Sequence, residues 1–297
     1  MTTTAKQGYI EFPTNWQHVE SHKSGPFVTR VVHQREDGST HTWSSRRHRK
    51  GFGPQIVMPA GEPPAKKRPS LFVWAPHKLN WWIAVLFMIG ASGFILGSVL
   101  FLAGFENYSL ISLIFFIGSI FFTSAGYSQY NQSINAETAV GLDPQTHKRK
   151  WLAWQPDRID FWVTFSQLLG TIMFNFNTFD AFLSLGWFGQ DLLIWVPDMV
   201  GSLFFQISGT LAVFEICHRW WCWQNHSISW WITIINFTGC VAFSISAVLA
   251  FVRPDPLFQN LAVYATIFTL IGAVCFFVGA YLMWPEMSVE AVDKNTY

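Results

Sequence analysis

The sequence predicts an all-α polytopic membrane protein: a helical bundle of six transmembrane helices arranged as three hairpin repeats, with a small N-terminal head. Three observations predict it: six apolar runs of membrane-spanning length, tryptophans at the ends of those runs, and basic residues gathered on one side. A span needs about 20 mostly apolar residues to cross roughly 30 Å of hydrocarbon. Stretches 81–104, 109–127, 161–183, 191–216, 229–252 and 261–284 meet that requirement. Trp81, Trp82, Trp162, Trp195, Trp220, Trp221, Trp223, Trp230, Trp231 and Trp284 cluster at their boundaries, where indole rings favour the headgroup layer. Of the 19 Lys and Arg, 12 fall in residues 1–80. Lys148, Arg149, Lys150 and Arg158 lie between spans 2 and 3, Arg219 follows span 4, and Lys294 follows span 6. Only Arg253 falls on the opposite side. The richer side is cytoplasmic by the positive-inside rule, which places both termini there.

Composition narrows the class further. Charged residues make up 12% of the chain, against about 25% in soluble domains. They concentrate in the head, so the net charge of +1 does not point to a nucleic-acid partner. Residues 1–30 hold no apolar core behind a basic start, so the first span is expected to direct insertion without a cleavable signal. Cys217, Cys222, Cys240 and Cys275 are too few and too scattered for a disulfide framework.

The chain divides into a basic cytoplasmic head (1–77), a membrane domain (78–286) and a short cytoplasmic tail (287–297). In the head, Phe27–His33 and Thr40–Trp43 flank Glu36-Asp37-Gly38, the pattern of a β-hairpin. The basic run Arg46–Lys50 and a proline-rich linker, Pro59–Pro69, then lead to the membrane. A head of about 70 residues is only marginally stable alone, so it is expected to lean on the membrane domain.

The membrane domain repeats internally. Trp82, Gly90 and Phe94 of span 1 recur as Trp162, Gly170 and Phe174 in span 3, and as Trp231, Gly239 and Phe243 in span 5. Spans 2, 4 and 6 share Gly118-Ser119 with Phe122, Gly201-Ser202 with Phe205, and Gly272-Ala273 with Phe276. Small residues follow in each (Gly126, Gly209, Ala280), then polar ones (Gln132, Glu215, Glu286). These matches describe three copies of one hairpin, 78–135, 158–219 and 227–286, all inserted in the same direction. Lipid gives helices little hydrophobic reason to associate, so close backbone approach at small residues holds them together. Gly118, Gly201 and Gly272 are the expected helix-packing contacts.

The pattern from Asp198 to Phe205 (Asp-Met-Val-Gly-Ser-Leu-Phe-Phe) and from Thr269 to Tyr281 resembles the YrhK-like domain of bacterial membrane proteins. The likeness covers spans 3 to 6 best, spans 1 and 2 less well, and leaves out the head. It implies a bacterial inner membrane and assigns no functional residue.

Chemistry-bearing patterns are sparse. All nine histidines lie outside the spans, so paired axial ligands for an embedded haem are lacking. No metalloprotease, Cys-x-x-Cys or phosphate-loop motif occurs, and no cofactor or metal is expected. In Cys217-His218-x-x-x-Cys222-x-x-x-His226, His218, Cys222 and His226 place three donors at helical spacing, with a tryptophan-rich interfacial turn as the plain alternative. No nucleophile–base pair is visible, so enzymatic activity is not expected. The Arg46–Lys50 run is expected to meet anionic lipid headgroups. Glu215 and Glu286 fall at cytoplasmic span ends, where water is near, and Glu137 and Asp143 fall in a solvated loop.

Asp198 is the most informative residue. It follows Pro197, with Asn175, Asn177, Asp180 and Asp191 on the same half of the middle hairpin. One reading begins span 4 at Pro197, so that Asp198 only satisfies a helix N-terminus. The other follows the repeats, which align Asp198 with Phe115 and Thr269 and place it about two turns inside the helix. An intramembrane carboxylate is costly and points to function. Asp198, Asn175, Asn177 and Asp180 are therefore the candidate ion or proton site of a small channel or transporter. The alternative is a non-transporting scaffold or sensor that anchors the head and docks partners. Homo-oligomerisation is left open.

Overall fold

The computed structural model describes residues 4–7, 10–58, 69–136, 149–182, 185–251 and 259–290. Glu137, Asp143, Lys148, Arg253, Lys294 and most of the Pro59–Pro69 linker lie outside the described residues.

The protein is mostly helical. All-α holds for the membrane domain but not for the head, which is built of strands. β1 (Thr4–Gln7) pairs antiparallel with β2 (Ile10–Pro13). β3 (Gln17–Ser24), β4 (Phe27–Gln34), β5 (Thr40–Ser44) and β6 (Gln55–Val57) form a four-stranded antiparallel sheet in chain order. Residues such as Val31, Val32, Thr40, Thr42 and Trp43 suit a pleated, half-buried surface. β4 and β5 pair from Arg30 opposite Ser44 to Gln34 opposite Thr40. At their turn Gly38 takes φ 80°, which glycine adopts without steric cost. Asp37 Oδ1 there accepts from the Ser39 amide at 2.8 Å. Ile10, Phe12, Val28, Val31 and Trp43 form the head's small core.

A short helix, α1 (Ser45–Arg49), leads from the sheet toward the membrane domain. There follow α2 (Leu79–Leu102), α3 (Tyr108–Ile134), α4 (Ile159–Asp180), α5 (Trp187–Gln190), a π-helical turn (Asp191–Trp195), α6 (Val196–Cys217), α7 (Ile228–Leu249), α8 (Gln259–Tyr281) and α9 (Met283–Glu290). Among the described residues, five helical runs are long and apolar enough to cross a membrane: Leu79–Leu102, Tyr108–Ile134, Phe188–Cys217, Ile228–Leu249 and Leu261–Glu290. α4 matches α7 in length, at 22 residues, yet falls outside that group. Polar side chains lower its apolar character, and Asp160, Thr164, Ser166, Thr171 and Thr178 among them are buried. α3 runs past the expected end of span 2 because Tyr130, Asn131, Ser133 and Ile134 are enclosed against following segments rather than released to solvent.

Within the domain α2 packs on α3, α4 on α6, and α7 on α8. Each pair crosses at two glycines. A Cβ on Gly90 would lie 3.0 Å from the Gly118 carbonyl oxygen; one on Gly170, 3.0 Å from that of Gly201; one on Gly239, 3.2 Å from that of Gly272. Larger residues at these positions would force the backbones apart. One turn on, Phe94, Phe174 and Phe243 meet in a triangle, with ring centroids 6.2, 6.2 and 5.5 Å apart. Phe122, Phe205 and Phe276 pack against them, giving the centre of the bundle an aromatic layer.

Candidate functional site

The helical run containing Asp198 is interrupted by its own sequence. Proline has no amide hydrogen, so Pro197 removes a rung of the helical ladder. The backbone accommodates it just upstream, where the Val196 amide donates five residues back to the Asp191 carbonyl. Such a widened turn leaves carbonyls in need of donors, which neighbouring side chains supply. Asn177 Nδ2 on α4 supplies one, donating to the Ile194 carbonyl at 3.0 Å, while Trp195 Nε1 of the turn itself donates to the Ala247 carbonyl at 2.8 Å and ties the turn to α7. Both earlier readings of Asp198 capture part of this geometry. Regular α-helix does begin at Val196, with Asp198 in its first turn. The chain is nevertheless helical from Trp187, so Asp198 lies eleven residues inside the run.

Asp198 lines an open cavity of about 510 Å³ bordered by α2, α3, α4, α6, α7 and α8. Among the described residues its carboxylate has no hydrogen-bond or ion-pair partner. The repeat-equivalent residues Phe115, Asp198 and Thr269 all line this one space, and Phe94, Phe174 and Phe243 line it too. The cavity therefore lies where the three helix pairs converge. Its remaining polar groups are mostly committed. Ser246 and Thr269 share a hydrogen bond of 2.7 Å, Ser246 also bonds to the Ala265 carbonyl, and Thr178 bonds to the Phe174 carbonyl.

Of the four residues proposed for this site, Asp198 and Asn177 come together at the cavity. Asn175 does not line it; its Nδ2 donates to Thr123 Oγ1 on α3 at 2.8 Å. Asp180, at the last position of α4, is half-buried and also stands apart. Helical spacing explains the split, since Asn175 and Asn177 are two residues apart and cannot share a face. Ser246 and the wall phenylalanines were not singled out as site residues, although the repeat alignment carried the signal for Phe115 and Thr269.

A second polar centre lies at the opposite end of the bundle. Arg46 Nη2 donates to Glu286 Oε1 at 3.3 Å, and Lys50 pairs with the same carboxylate. Arg49 Nη2 donates to Glu215 Oε2 at 3.3 Å, while Ser45 Oγ donates to Glu215 Oε1 at 2.7 Å. Ser229 Oγ donates to Glu286 Oε1 at 2.6 Å, and Arg47 pairs with Glu290. Glu215 and Glu286 are 1% and 2% exposed, so the expectation that they meet water is corrected. Arg46, Arg49 and Lys50 are buried as well; they turn toward acidic groups of the membrane domain instead of the anionic lipid expected for this run. Burial, with Arg46 alongside, pushes the Lys50 amine down to about 7 against the opposing pull of Glu286.

The third pattern also resolves differently. Cys217 and Cys222 are joined in a disulfide across the turn after α6, and in that oxidised form Cys222 cannot serve as a metal ligand beside His218 and His226. Burial, then Arg30 and His22, pushes His218 down to about 4. Among the described residues no group of three metal-binding side chains occurs.

The chain matches no family model, no curated protein and no solved structure.

Proposed function

We propose that the chain is a six-span inner-membrane protein, built of three hairpins with both termini cytoplasmic, that moves a cation or proton by way of Asp198. One observation carries this reading: a carboxylate with no partner among the described residues lines a large cavity in a bundle of apolar helices. A carboxylate so placed either takes up a proton or recruits a cation. α4 supplies the sixth span. Its 22 residues reach about 33 Å, and its polar side chains face neighbouring helices. The resemblance to YrhK-like domains and the one-sided Lys/Arg distribution support the compartment and the orientation.

The test is flux. Purified protein in liposomes should pass protons or a monovalent cation, and Asp198→Asn should abolish that flux while leaving the protein folded. Absence of any flux from the wild type would leave the scaffold reading ahead. That second reading draws on the buried ion pairs that fasten the head to the bundle, since a head so firmly held suits an anchored docking or sensing module.

A further inference from the structure

We propose that the cavity beside Asp198 binds an organic ammonium ion, a cationic nitrogen bearing apolar substituents, and not a bare metal cation. This rests on reading Asp198 as a cation site and names the class of cation.

Size is the first argument. The cavity has a volume of about 510 Å³, within the roughly 300–1,000 Å³ usual for small-molecule sites. A dehydrated sodium or potassium ion would leave most of it empty.

Ligand supply is the second. Hard cations held by protein take about six to eight converging oxygens, and potassium filters replace the hydration shell with rings of backbone carbonyls. Here most of the wall is helix, whose interior carbonyls are spent on their own hydrogen bonds, and free carbonyls occur only toward the helix ends near Ala181 and Ala250. The hydroxyls of Ser246, Thr269 and Thr178 are engaged with each other or with backbone, and Thr266 donates to the Ala262 carbonyl at 2.9 Å. Asn177 spends its amide nitrogen on Ile194. One carboxylate, one amide oxygen and a few scattered hydroxyls, most of them tied to their own helices, fall short of the roughly six to eight converging oxygens of a metal cage.

The third argument is what the walls do offer. Phe94, Phe101, Tyr108, Phe115, Phe174 and Phe243 line the space. A cation within about 6 Å of an aromatic centroid is attracted by the ring's negative face, and quaternary ammonium ions are recognised by such aromatic cages. Ring faces ask for no hydrogen bonds, so a substituted ammonium loses little on leaving water there. Asp198 supplies the counter-charge, and the apolar substituents fill the remaining wall. Tyr108 at the start of α3, Ala181 just after α4 and Ala250 just after α7 all reach the cavity. These helix ends lie away from the head, so a ligand would enter from that side.

The experiment uses the full chain in a neutral detergent, with benzyltrimethylammonium as probe and thermal protection as readout. Its uncharged carbon isostere, neopentylbenzene, and the chlorides of sodium and potassium serve as comparisons. Benzyltrimethylammonium should protect in a saturable manner, with half-maximal protection at a concentration about tenfold or more below that for neopentylbenzene. Sodium and potassium should give no saturable protection. Asp198→Asn should weaken the ammonium effect about tenfold, and Asp198→Glu should retain most of it. Because the ligand pair varies charge without mutation, the outcome stands even if a variant misfolds. Equal protection by the two isosteres would reduce the site to an apolar void and overturn the proposal, as would saturable protection by sodium or potassium alone. Asp198-dependent flux in liposomes with no ammonium protection would sink this inference while leaving the transport reading intact. Ammonium protection without any flux would leave the binding site standing and remove transport.

Discussion

Arg49 of the head and Glu215 at the end of α6, separated by 166 positions in sequence, meet through a 3.3 Å hydrogen bond between Nη2 and Oε2. Both side chains are enclosed, at 2% and 0% exposure. Removing one partner of a buried pair leaves a stranded charge, at a cost of about 3–5 kcal/mol. Glu215→Gln should therefore lower the thermal midpoint in detergent and expose residues 10–58 to limited proteolysis. Adding Arg49→Met should recover part of the loss, since an apolar replacement strands nothing. Unchanged midpoint and protease resistance in Glu215→Gln would show that the head is held by other contacts.

The glycine crossings give a second prediction. A Cβ on Gly201 would stand 2.9 Å from the Phe174 ring and 3.1 Å from the Gly170 carbonyl oxygen. Leucine there must separate α4 from α6 and forfeit dispersion contacts along the crossing. Gly201→Leu should destabilise the protein far more than Leu203→Ala, whose side chain is 55% exposed. Gly118→Leu and Gly272→Leu should behave like Gly201→Leu. If all three leave detergent stability untouched, close backbone approach is not what holds these pairs together.

The head should respond to acid. His33 is 4% exposed, with its ring centroid 4.1 Å from that of Phe12. Burial first, then the neighbouring His18 and His41, pushes its pKa from 6.5 to about 4. His48 is likewise pushed down to about 4, chiefly by burial. The folded state thus binds these protons less readily than the unfolded chain. Stability from keeping both rings neutral is complete above pH 6.5 and declines as pH falls from 6.5 toward 4. Protection factors of the β4 and β5 amides, corrected for the intrinsic slowing of exchange in acid, should fall across that window, and His33→Gln should flatten the dependence. Protection factors that do not change between pH 7 and 4.5 would contradict the buried neutral state.

These elements differ in how openly the sequence declares them. Helices in the membrane domain announce themselves because crossing hydrocarbon demands long apolar runs, and α4 is blurred because its polar residues face other helices. Gly90, Gly170 and Gly239 are legible through repetition at fixed offsets, which geometry then explains as backbone contact. The burial of Arg46, Arg49 and Lys50 is not legible, since a basic run beside a membrane looks the same whether it faces lipid or carboxylate. Only the pairing with Glu215 and Glu286, more than 160 positions away, distinguishes the two. Asp198 is intermediate. Its repeat alignment with Phe115 and Thr269 contains the cavity, but the π-helical turn that sets its depth depends on Asn177 and Trp195 bonding across to neighbouring helices.

Orientation can be read at two independent places. In the orientation proposed from the one-sided distribution of Lys and Arg, the head is cytoplasmic, and so is the turn after α6. That turn carries the Cys217–Cys222 disulfide, and disulfides persist in oxidising compartments but are reduced in the cytosol. The two indicators therefore oppose each other, and the charge rule, which rests on many residues, is the stronger. In intact cells expressing the protein, Cys217 and Cys222 should accordingly be found as thiols, reacting with a maleimide added at lysis under denaturing conditions without reductant. Their Cα atoms stand 5.3 Å apart, so oxidation after purification should close the pair with little backbone movement. Cysteines introduced at Asn107 and Gly186 should label with an impermeant thiol reagent added outside the cells, and one at Arg149 should not. A disulfide already formed in cells, together with outside labelling at Arg149, would invert the protein. The head would then face the outer compartment, and the mouth of the Asp198 cavity the cytoplasm.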